Sequence, residues 1–575
     1  MPPRRRSGGD GGRGVALRLR SAPAWGERDR RTDRRRPGHV GASLLHGSRR
    51  PCRHRRLRSN TRGVGPADRR RPVARHRDRD PRRPDPPRGA EGARRSRMGR
   101  RHQHAADAAL ALLRDPGGGR GPLRARLRGP VPRPDRERPA AMTPVTVGLI
   151  GIACLFGLLI IRTPVAFAML AVGFFGYWTL EGSRSAGGVL LTESYSAVAN
   201  YNLIIVPMFV LLGNISAVSG FSRGLYDAAF AWVGRFKGGL ASASVLGCAV
   251  FAAVSGSSVA TAVTLGRVAL PEMRRLGYAP SLSTGAIAAG GTLGFLIPPS
   301  TGFVLYAVLT EESIGRLFMA GILPGLLLTG LFMGAIWIVA TLDPKAGPRG
   351  EPVPLGKRFR VLGQAAPLLA IIVISIGGIY AGVFTPVEAS GVGAALVILL
   401  ALTRRRLTFA GFREAVLNTL STSAMLYMIV IGANVLNPFF AITRIPEALG
   451  DSLVELGFGA YGTLFVIIIA YLILGMFMDG LSMLVVTIPI VFPVVVAFGF
   501  DPIWFGVVAV IVIEMGMITP PVGLNVFVVR GVAGDVPLTT IFRGVMPFLI
   551  AMILGLLLII AIPGIALLLP NSMFG

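Results

Sequence analysis

The chain has 575 residues, a formal net charge of +32 and a mean hydropathy of +0.55. So apolar a composition excludes a water-soluble globular protein of this size, and the charge belongs to one end only. Residues 1–141 contain 41 Arg, no Lys and 13 acidic residues, whereas residues 142–575 contain 21 basic and 17 acidic residues. The two parts therefore have to be interpreted separately.

Residues 1–141 lack a sustained apolar period and are interrupted throughout by Pro, Gly and Arg. Such a segment cannot bury enough apolar surface to offset its ordering entropy, so we expect it to be non-globular. One interpretation is a disordered basic arm for nucleic acid or anionic lipid. The other is a start set too far upstream or a misread frame, because many Arg without Lys is typical of a GC-rich gene translated out of frame. Met142, which opens a hydrophobic helix, would then be the initiator.

From Val145 onward, apolar stretches long enough to cross a bilayer follow one another. The predicted continuous stretches are at about 145–161, 164–180, 203–219, 281–310, 317–341, 365–384, 386–403, 416–442, 503–530 and 544–569. Two further apolar regions, 238–277 and 460–499, are broken in the middle by Ser/Gly and by Asp/Gly. We interpret each as a re-entrant hairpin, since irregular backbone at membrane depth must line a polar cavity or be satisfied internally.

An internal repeat organises these stretches. Thr163-Pro164-Val165 recurs as Thr385-Pro386-Val387, and Pro298-Pro299 recurs as Pro520-Pro521, both at the same separation along the chain. The two interrupted regions are separated by the same interval. These matches predict two homologous membrane repeats, 142–363 with hairpin 238–277 and 364–575 with hairpin 460–499.

The distribution of charge orients the repeats. If Met142 lies outside, the inner loops hold 18 basic residues and the outer loops hold 3, as the positive-inside rule predicts. Each repeat then has about five transmembrane helices plus one re-entrant hairpin. Because the number of membrane crossings in a repeat is odd, the second repeat has the opposite orientation in the membrane. The predicted fold class is therefore an all-α polytopic membrane protein with two inverted-topology repeats and broken helices at the midplane, which is a secondary-transporter design.

The hairpin tips carry the first candidate site residues. The first tip, Ser255-Gly256-Ser257-Ser258, offers hydroxyls, carbonyls and a helix N-terminus, although small residues equally serve close helix packing. Asp479 lies in the second hairpin, at the position that the repeat equates with Ser257. A carboxylate at this depth is costly unless it is paired or binds a cation, so it is a functional candidate; the alternative is an Asp that caps the second limb of the hairpin.

The paired Pro-Pro segments supply the second group of candidates. Two adjacent prolines remove two amide donors and free the carbonyls of the preceding turn, so each segment predicts a broken helix opposite a hairpin tip. Glu514 precedes the second break, whereas Glu388 has the position of a first-turn cap. Asn200, Asn202 and Asn214 are weaker candidates. Residues 142–575 contain no His and no paired Cys, which argues against catalysis.

Taken together, these segments resemble the large membrane subunit (DctM type) of tripartite ATP-independent periplasmic (TRAP) transporters. The motifs that carry the resemblance are Arg162-Thr-Pro164-Val-Ala-Phe-Ala, Pro207-Met-Phe-Val-Leu-Leu-Gly213, Ser255-Gly-Ser-Ser-Val-Ala-Thr261, Gly294-Phe-Leu-Ile-Pro298-Pro299-Ser300, Asp479-Gly480 and Glu514-Met-Gly-Met-Ile-Thr519-Pro520-Pro521-Val-Gly523-Leu-Asn525. The resemblance covers essentially all of 142–575 and none of 1–141.

The resemblance implies an elevator-type, Na⁺-coupled symporter in the bacterial inner membrane that imports a small organic acid. It implies a small four-helix membrane subunit (DctQ type) and a periplasmic substrate-binding protein (DctP type) as partners, with the lipid bilayer around them. Na⁺ is the coupling ion, and neither a further cofactor nor a nucleic-acid partner is expected. The implied substrate- and ion-binding residues, among which the Na⁺ sites would lie, are Ser255, Gly256, Ser257, Ser258, Thr261, Gly294, Pro298, Pro299, Asp479, Gly480, Glu514, Gly516, Thr519, Pro520, Pro521, Gly523 and Asn525.

Two alternatives stay open at this stage. One is a related ion-coupled carrier that works without a binding protein. The other, from a different class, is a membrane-tethered nucleic-acid-binding protein that uses the basic arm, and deletion of residues 1–141 would distinguish it. The solute itself is not apparent from the sequence; a C4-dicarboxylate, a sugar acid or a sialic acid would each fit the resemblance.

Overall fold

A computed structural model of the chain describes residues 143–350 and 352–573. Expectations about residues 1–141 lie outside the described residues. The described part is α-helical, and eight of its helices are long and apolar enough to cross a membrane, judged by length and composition. This confirms the predicted all-α polytopic membrane fold.

The helices of the first predicted repeat follow the apolar stretches, with short turns between them. They are α1 Pro144–Ile160, α2 Val165–Glu181, α3 Ser183–Ala199, α4 Ile205–Val218, α5 Phe221–Val233, α6 Gly239–Ser255, α7 Ser258–Arg275, α8 Pro280–Leu296, α9 Thr301–Thr310 and α10 Ile314–Leu342. The first hairpin is the pair α6 and α7, and the first broken helix is α8 followed by α9.

The helices of the second predicted repeat have nearly the same order. They are α11 Leu355–Tyr380, α12 Pro386–Thr403, α13 Phe409–Thr443, α14 Ile445–Glu455, α15 Gly459–Gly475, α16 Gly480–Ala497, α17 Pro502–Gly516, α18 Leu524–Ala533, α19 Leu538–Ala561 and α20 Gly564–Met573. α16 begins and ends at a fixed number of residues after α7, and α17 begins at that same number of residues after α8. The two Pro-Pro pairs have the same separation. These bounds support the proposal of a duplicated chain.

Two groups of packed helices frame the interior. In the outer group, α13 packs along α2, α3 and α4, while α12 packs against α4. In the inner group, α8 packs against α6, α7 and α19, and α15 packs against α17. Both hairpins therefore lie beside the broken helices, and α4 of the outer group contacts α6 of the first hairpin.

Three helices were not predicted from apolar stretches: α3, α5 and α14. α5 and α14 have 13 and 11 residues, and α3 carries Arg184 and Glu193, so none contains an apolar run long enough to cross a bilayer. Short helices of this kind are stabilised by packing more than by their own sequence. Apolar length alone therefore does not indicate them.

Candidate functional site

The tip of the first hairpin is closed by glycine and tied to the first break. α6 ends at Ser255 and is followed by its C-cap Gly256, whose φ of 60° is a conformation that residues with a Cβ rarely adopt. Its carbonyl oxygen accepts hydrogen bonds from the Thr301 amide (3.3 Å) and the Thr301 hydroxyl (2.8 Å). The Ser255 and Thr261 hydroxyls lie 2.7 Å apart. Hydrogen bonds thus join the hairpin tip to α7, the second helix of the hairpin, and to the start of α9.

The first break packs on the hairpin without room for a side chain at Gly294. A Cβ placed there would lie 2.5 Å from the Ser257 carbonyl oxygen. Ser257 itself caps α7, since its hydroxyl accepts from the Ala260 amide at 3.4 Å. The Pro298–Pro299 peptide bond is cis, and both prolines are buried. The predicted apposition of break and tip is therefore present in the first repeat.

The second hairpin has a carboxylate at its tip. Asp479 is the N-cap of α16 and accepts hydrogen bonds from the Ser482 amide (3.1 Å) and from the Ser482 hydroxyl. The capping role weighed as an alternative is thus present. Asp479 also faces the large cavity described below, so the cap and a binding role are compatible.

The second break differs from the first in its surroundings. The Pro520–Pro521 peptide bond is also cis, but both prolines are exposed. A Cβ on Gly516 would lie 2.7 Å from Cα of Gly475, so α17 and α15 touch through their backbones. Thr519 donates its hydroxyl proton to the Met515 carbonyl at 2.6 Å, and Gly523 has a φ of 59°. Among the described residues, no hydrogen bond joins this break to the Asp479 tip.

One hydrogen bond crosses from the first hairpin to the second broken helix. The Ser258 hydroxyl donates to Oε1 of Glu514 at 2.5 Å, and the Glu514 side chain is 1 % exposed. Oε2 of Glu514 and both polar atoms of the fully buried Asn525 side chain have no hydrogen-bond partner among the described residues. The backbone amide of Asn525 donates to the Met517 carbonyl at 3.1 Å, which places Asn525 beside the last turn of α17. This junction contains buried oxygen atoms with free lone pairs.

A cavity of about 820 Å³, which we call the central cavity, separates the hairpin tips from the helices of the outer group. Its polar wall consists of side chains from both hairpins and from α4, α9 and α13; these are Asn214, Ser255, Ser257, Thr264, Thr301, Thr422, Asp479 and Ser482. Its apolar wall includes Phe167, Phe251 and Met425. Of the predicted site residues, Ser255, Ser257 and Asp479 line this cavity. The buried Ser258, Thr261, Glu514 and Asn525 are not part of its lining.

The electrostatics of this cavity come mainly from helix ends. Among the residues that the structure describes, Asp479 is the only charged side chain that lines it. α7, α9 and α16 all begin at residues that line or adjoin the cavity, at Ser258, Thr301 and Gly480. Helix N-termini carry a partial positive charge, so the starts of α7 and α9 favour an anion such as a carboxylate, whereas the start of α16 already holds the Asp479 carboxylate. The wall can therefore hold an organic acid with polar contacts and without an arginine.

Several polar lining residues were missing from the predicted set. Thr301 follows the first Pro-Pro pair closely, and Ser482 is the third residue after Asp479, so both could have been found as partners of a break or a tip. Asn214 was a weaker candidate; its amide donates to the Thr419 hydroxyl at 2.9 Å. Glu388 forms a capping box with Thr385, as its sequence position predicted.

Eight described helices long and apolar enough to cross a membrane, two broken helices and an interior cavity with one polar wall are the features of a membrane transport protein, a class that is not an enzyme. The sequence profile described as "Tripartite ATP-independent periplasmic transporter, DctM component" matches residues 152–565. The chain belongs to this family. It is therefore the large permease of a TRAP transporter, a secondary transporter of organic acids in the inner membrane.

Curated relatives agree with this assignment, and a solved structure has a similar fold. The C4-dicarboxylate TRAP transporter large permease protein DctM of Pseudomonas aeruginosa is 38 % identical over 383 residues, covering 66 % of this chain and 89 % of the relative. The protein of the same description from Rhodobacter capsulatus is 38 % identical over 393 residues, covering 66 % and 88 %. The fold is similar to that of the Alcanivorax borkumensis YdaH transporter, with a TM-score of 0.51 at 15 % identity, covering 75 % of this chain and 98 % of that one.

Proposed function

We propose that this permease is a Na⁺-coupled symporter that imports a small organic acid delivered by a periplasmic binding protein. The single observation that carries the proposal is the cavity of about 820 Å³, which is framed by two hairpin tips and three helix N-termini. A substrate carboxylate would lie against these N-termini and the hydroxyls of Ser255, Ser257 and Thr301. The relatives from Pseudomonas aeruginosa and Rhodobacter capsulatus carry the description C4-dicarboxylate, so this class is the first to test.

The residues behind the tips fit a monovalent cation. Among the described residues there is no group of three or more His, Cys, Asp or Glu side chains that could hold a metal ion. The available ligands are instead carbonyls, hydroxyls and single carboxylates, which hard cations accept. Ser255, Gly256 and Thr261 with the first break would form one site, and Asp479 with the second hairpin and break would form another. Bound Na⁺ supplies positive charge beside the substrate carboxylate and couples uptake to the ion gradient.

The arrangement of the two helix groups favours an elevator mechanism. The cavity lies between the hairpin tips of the inner group and α2, α4 and α13 of the outer group. Movement of the inner group along this boundary would carry the tips and their ligands together. We further propose a small membrane subunit as a permanent partner and two inverted repeats as the basis of the alternating exposure.

Reconstitution tests the proposal. The permease and a DctQ-type small subunit are placed in proteoliposomes, a DctP-type binding protein is added outside, and uptake of labelled C4-dicarboxylates, sugar acids and sialic acids is followed. We expect uptake of one acid class that requires both inward Na⁺ and the loaded binding protein. A driving force of about 2.3 kcal/mol for each net charge per 100 mV predicts faster uptake when the interior is negative, if more Na⁺ charge than substrate charge enters. Equal uptake without Na⁺, or without the binding protein, contradicts the corresponding part of the proposal.

A further inference from the structure

A second cavity, of about 490 Å³, lies at the end of α7 remote from the hairpin tip. It is a half-open cavity where the end of α7, the start of α8, the end of α18 and the segment before α19 meet. Within the described part of the chain, its wall includes three arginines, Arg267, Arg274 and Arg275, and no acidic side chain. We call this cavity the basic pocket. It is separate from the central cavity, and nothing in the transport proposal uses it.

The positive charge of the basic pocket is only partly offset. Arg275 pairs with Glu272, with guanidinium-to-carboxylate distances of 2.5 and 3.2 Å. Arg274 donates to the Ala533 carbonyl at 3.2 Å, which satisfies one carbonyl at the end of α18. Arg267 forms no hydrogen bond and no ion pair with any of the described residues. Since a guanidinium has five N–H donors, Arg267 and Arg274 keep most of theirs for a ligand.

The start of α8 adds to the same potential. α8 begins with Pro280 and has no side-chain cap, and the hydroxyls of Ser283 and Thr284 donate to carbonyls of the preceding turn instead. The first-turn amides of a helix have no partner within the helix, so this end favours an anion. Pro280, Ser283 and Thr284 all line the basic pocket. Two arginines and an uncapped helix start therefore converge on one space.

The depth of the pocket indicates which anion it meets. At 1.5 Å per residue, Arg267 lies about 14 Å and Arg274 about 24 Å along α7 from Ser258 at the hairpin tip. A hydrocarbon core of about 30 Å has a half-thickness of about 15 Å, so a tip near the midplane places the pocket at headgroup level. The remaining wall, with Leu270, Val532 and Val536, is apolar. Basic pockets between membrane helices on the cytoplasmic side suit anionic headgroups.

We propose that the basic pocket binds the phosphate of an anionic phospholipid headgroup, with Arg267 and Arg274 as its principal ligands. The headgroup would lie between α7 and α8 on one side and α18 and α19 on the other, so it would join the base of the first hairpin to the second broken helix. Planar guanidinium groups bind phosphate oxygens through paired hydrogen bonds, which gives the site its chemistry. The same chemistry would accept free phosphate, and the two sources are separated by experiment.

The test uses the purified full-length permease in detergent at fixed salt. We measure its melting temperature with added phosphatidylglycerol, phosphatidylcholine or inorganic phosphate. Native mass spectrometry identifies the lipid that the protein retains under the same conditions. The principal variant is Arg267→Gln, since the wild-type side chain has no hydrogen bond or ion pair to lose among the described residues, and Arg267→Gln/Arg274→Gln is the second. The matched control is Arg404→Gln, which removes an exposed arginine at the end of α12, away from the pocket.

We expect phosphatidylglycerol, but not phosphatidylcholine, to raise the melting temperature of the wild type and of Arg404→Gln. Half-saturation should require about fivefold more phosphatidylglycerol for each arginine removed, the ratio given by about 1 kcal/mol per basic residue. Protection by inorganic phosphate in place of the lipid would overturn the lipid assignment and identify a free-oxyanion site. An unchanged phosphatidylglycerol response in Arg267→Gln, or none in the wild type, would refute the basic pocket as a binding site.

Discussion

Replacing Gly256 with alanine would place a methyl group against the first break. The Cβ would lie 2.6 Å from the Pro299 carbonyl oxygen, several tenths of an ångström closer than such atoms approach in proteins. The contact is with backbone, so no flexible side chain can move aside. The tip must shift instead, and its carbonyl would then lose the two hydrogen bonds that it accepts from Thr301.

A matched control separates the contact from the backbone conformation. Gly220 has a φ of 69°, close to that of Gly256, but a Cβ added there meets nothing within 4 Å. Both alanine variants carry the left-handed penalty of about 1 to 2 kcal/mol. Only Gly256→Ala adds the cost of overpacking, about 1 to 3 kcal/mol. If that cost falls on the ion-bound state, Na⁺ half-saturation rises roughly 5-fold to 150-fold.

The assay is Na⁺-dependent uptake in proteoliposomes, together with the melting temperature of each purified variant. We expect both variants to lose some stability, and only Gly256→Ala to need more Na⁺ for half-maximal uptake. Equal Na⁺ curves for the two variants would show that the contact between tip and break has no part in ion binding. A Gly220→Ala curve shifted as far as that of Gly256→Ala would refute the reasoning in the same way.

The same geometry leads to three further predictions. Asp479→Asn keeps an oxygen that can cap α16, so the melting temperature should stay close to that of the wild type while the Na⁺ concentration for half-saturation rises about tenfold. The control is Asp501→Asn at the N-cap of α17, where Asp501 accepts a hydrogen bond from the Trp504 amide at 2.9 Å. This control should leave the Na⁺ curve unchanged. Ser258→Ala removes the one hydrogen bond that the described residues give the buried Glu514 carboxyl, and it should cost about 1 to 3 kcal/mol of stability. Glu514→Gln keeps an acceptor for the Ser258 hydroxyl and should cost less. Equal losses of stability in the two variants would contradict a specific hydrogen bond. In a chain without native cysteines, Lys345→Cys should be labelled only from the cytoplasm and Ser452→Cys only from outside, and labelling of both from one side would exclude the inverted topology.

Much of the architecture could be predicted from the sequence because it depends on local rules. Apolar length determines which segments can cross a bilayer, and the recurrence of Pro298-Pro299 as Pro520-Pro521 marks two breaks wherever the chain folds. Gly256 between two serines predicts a hairpin tip, because glycine alone adopts its left-handed conformation easily. The family resemblance followed from these same segments.

Other features were decided only by the tertiary structure. Ser258 meets Glu514 and Asn214 meets Thr419, each across more than a third of the chain, and no local pattern encodes such pairs. The walls of the central cavity come from α2, α4 and α13 as well as from the tips, since packing of distant helices selects which faces surround the space. In the sequence, Arg267, Arg274 and Arg275 of α7 indicate only the positive charge of a cytoplasmic loop. Their convergence on the start of α8 and the end of α18 depends on how the two broken helices pack, and that packing creates the basic pocket.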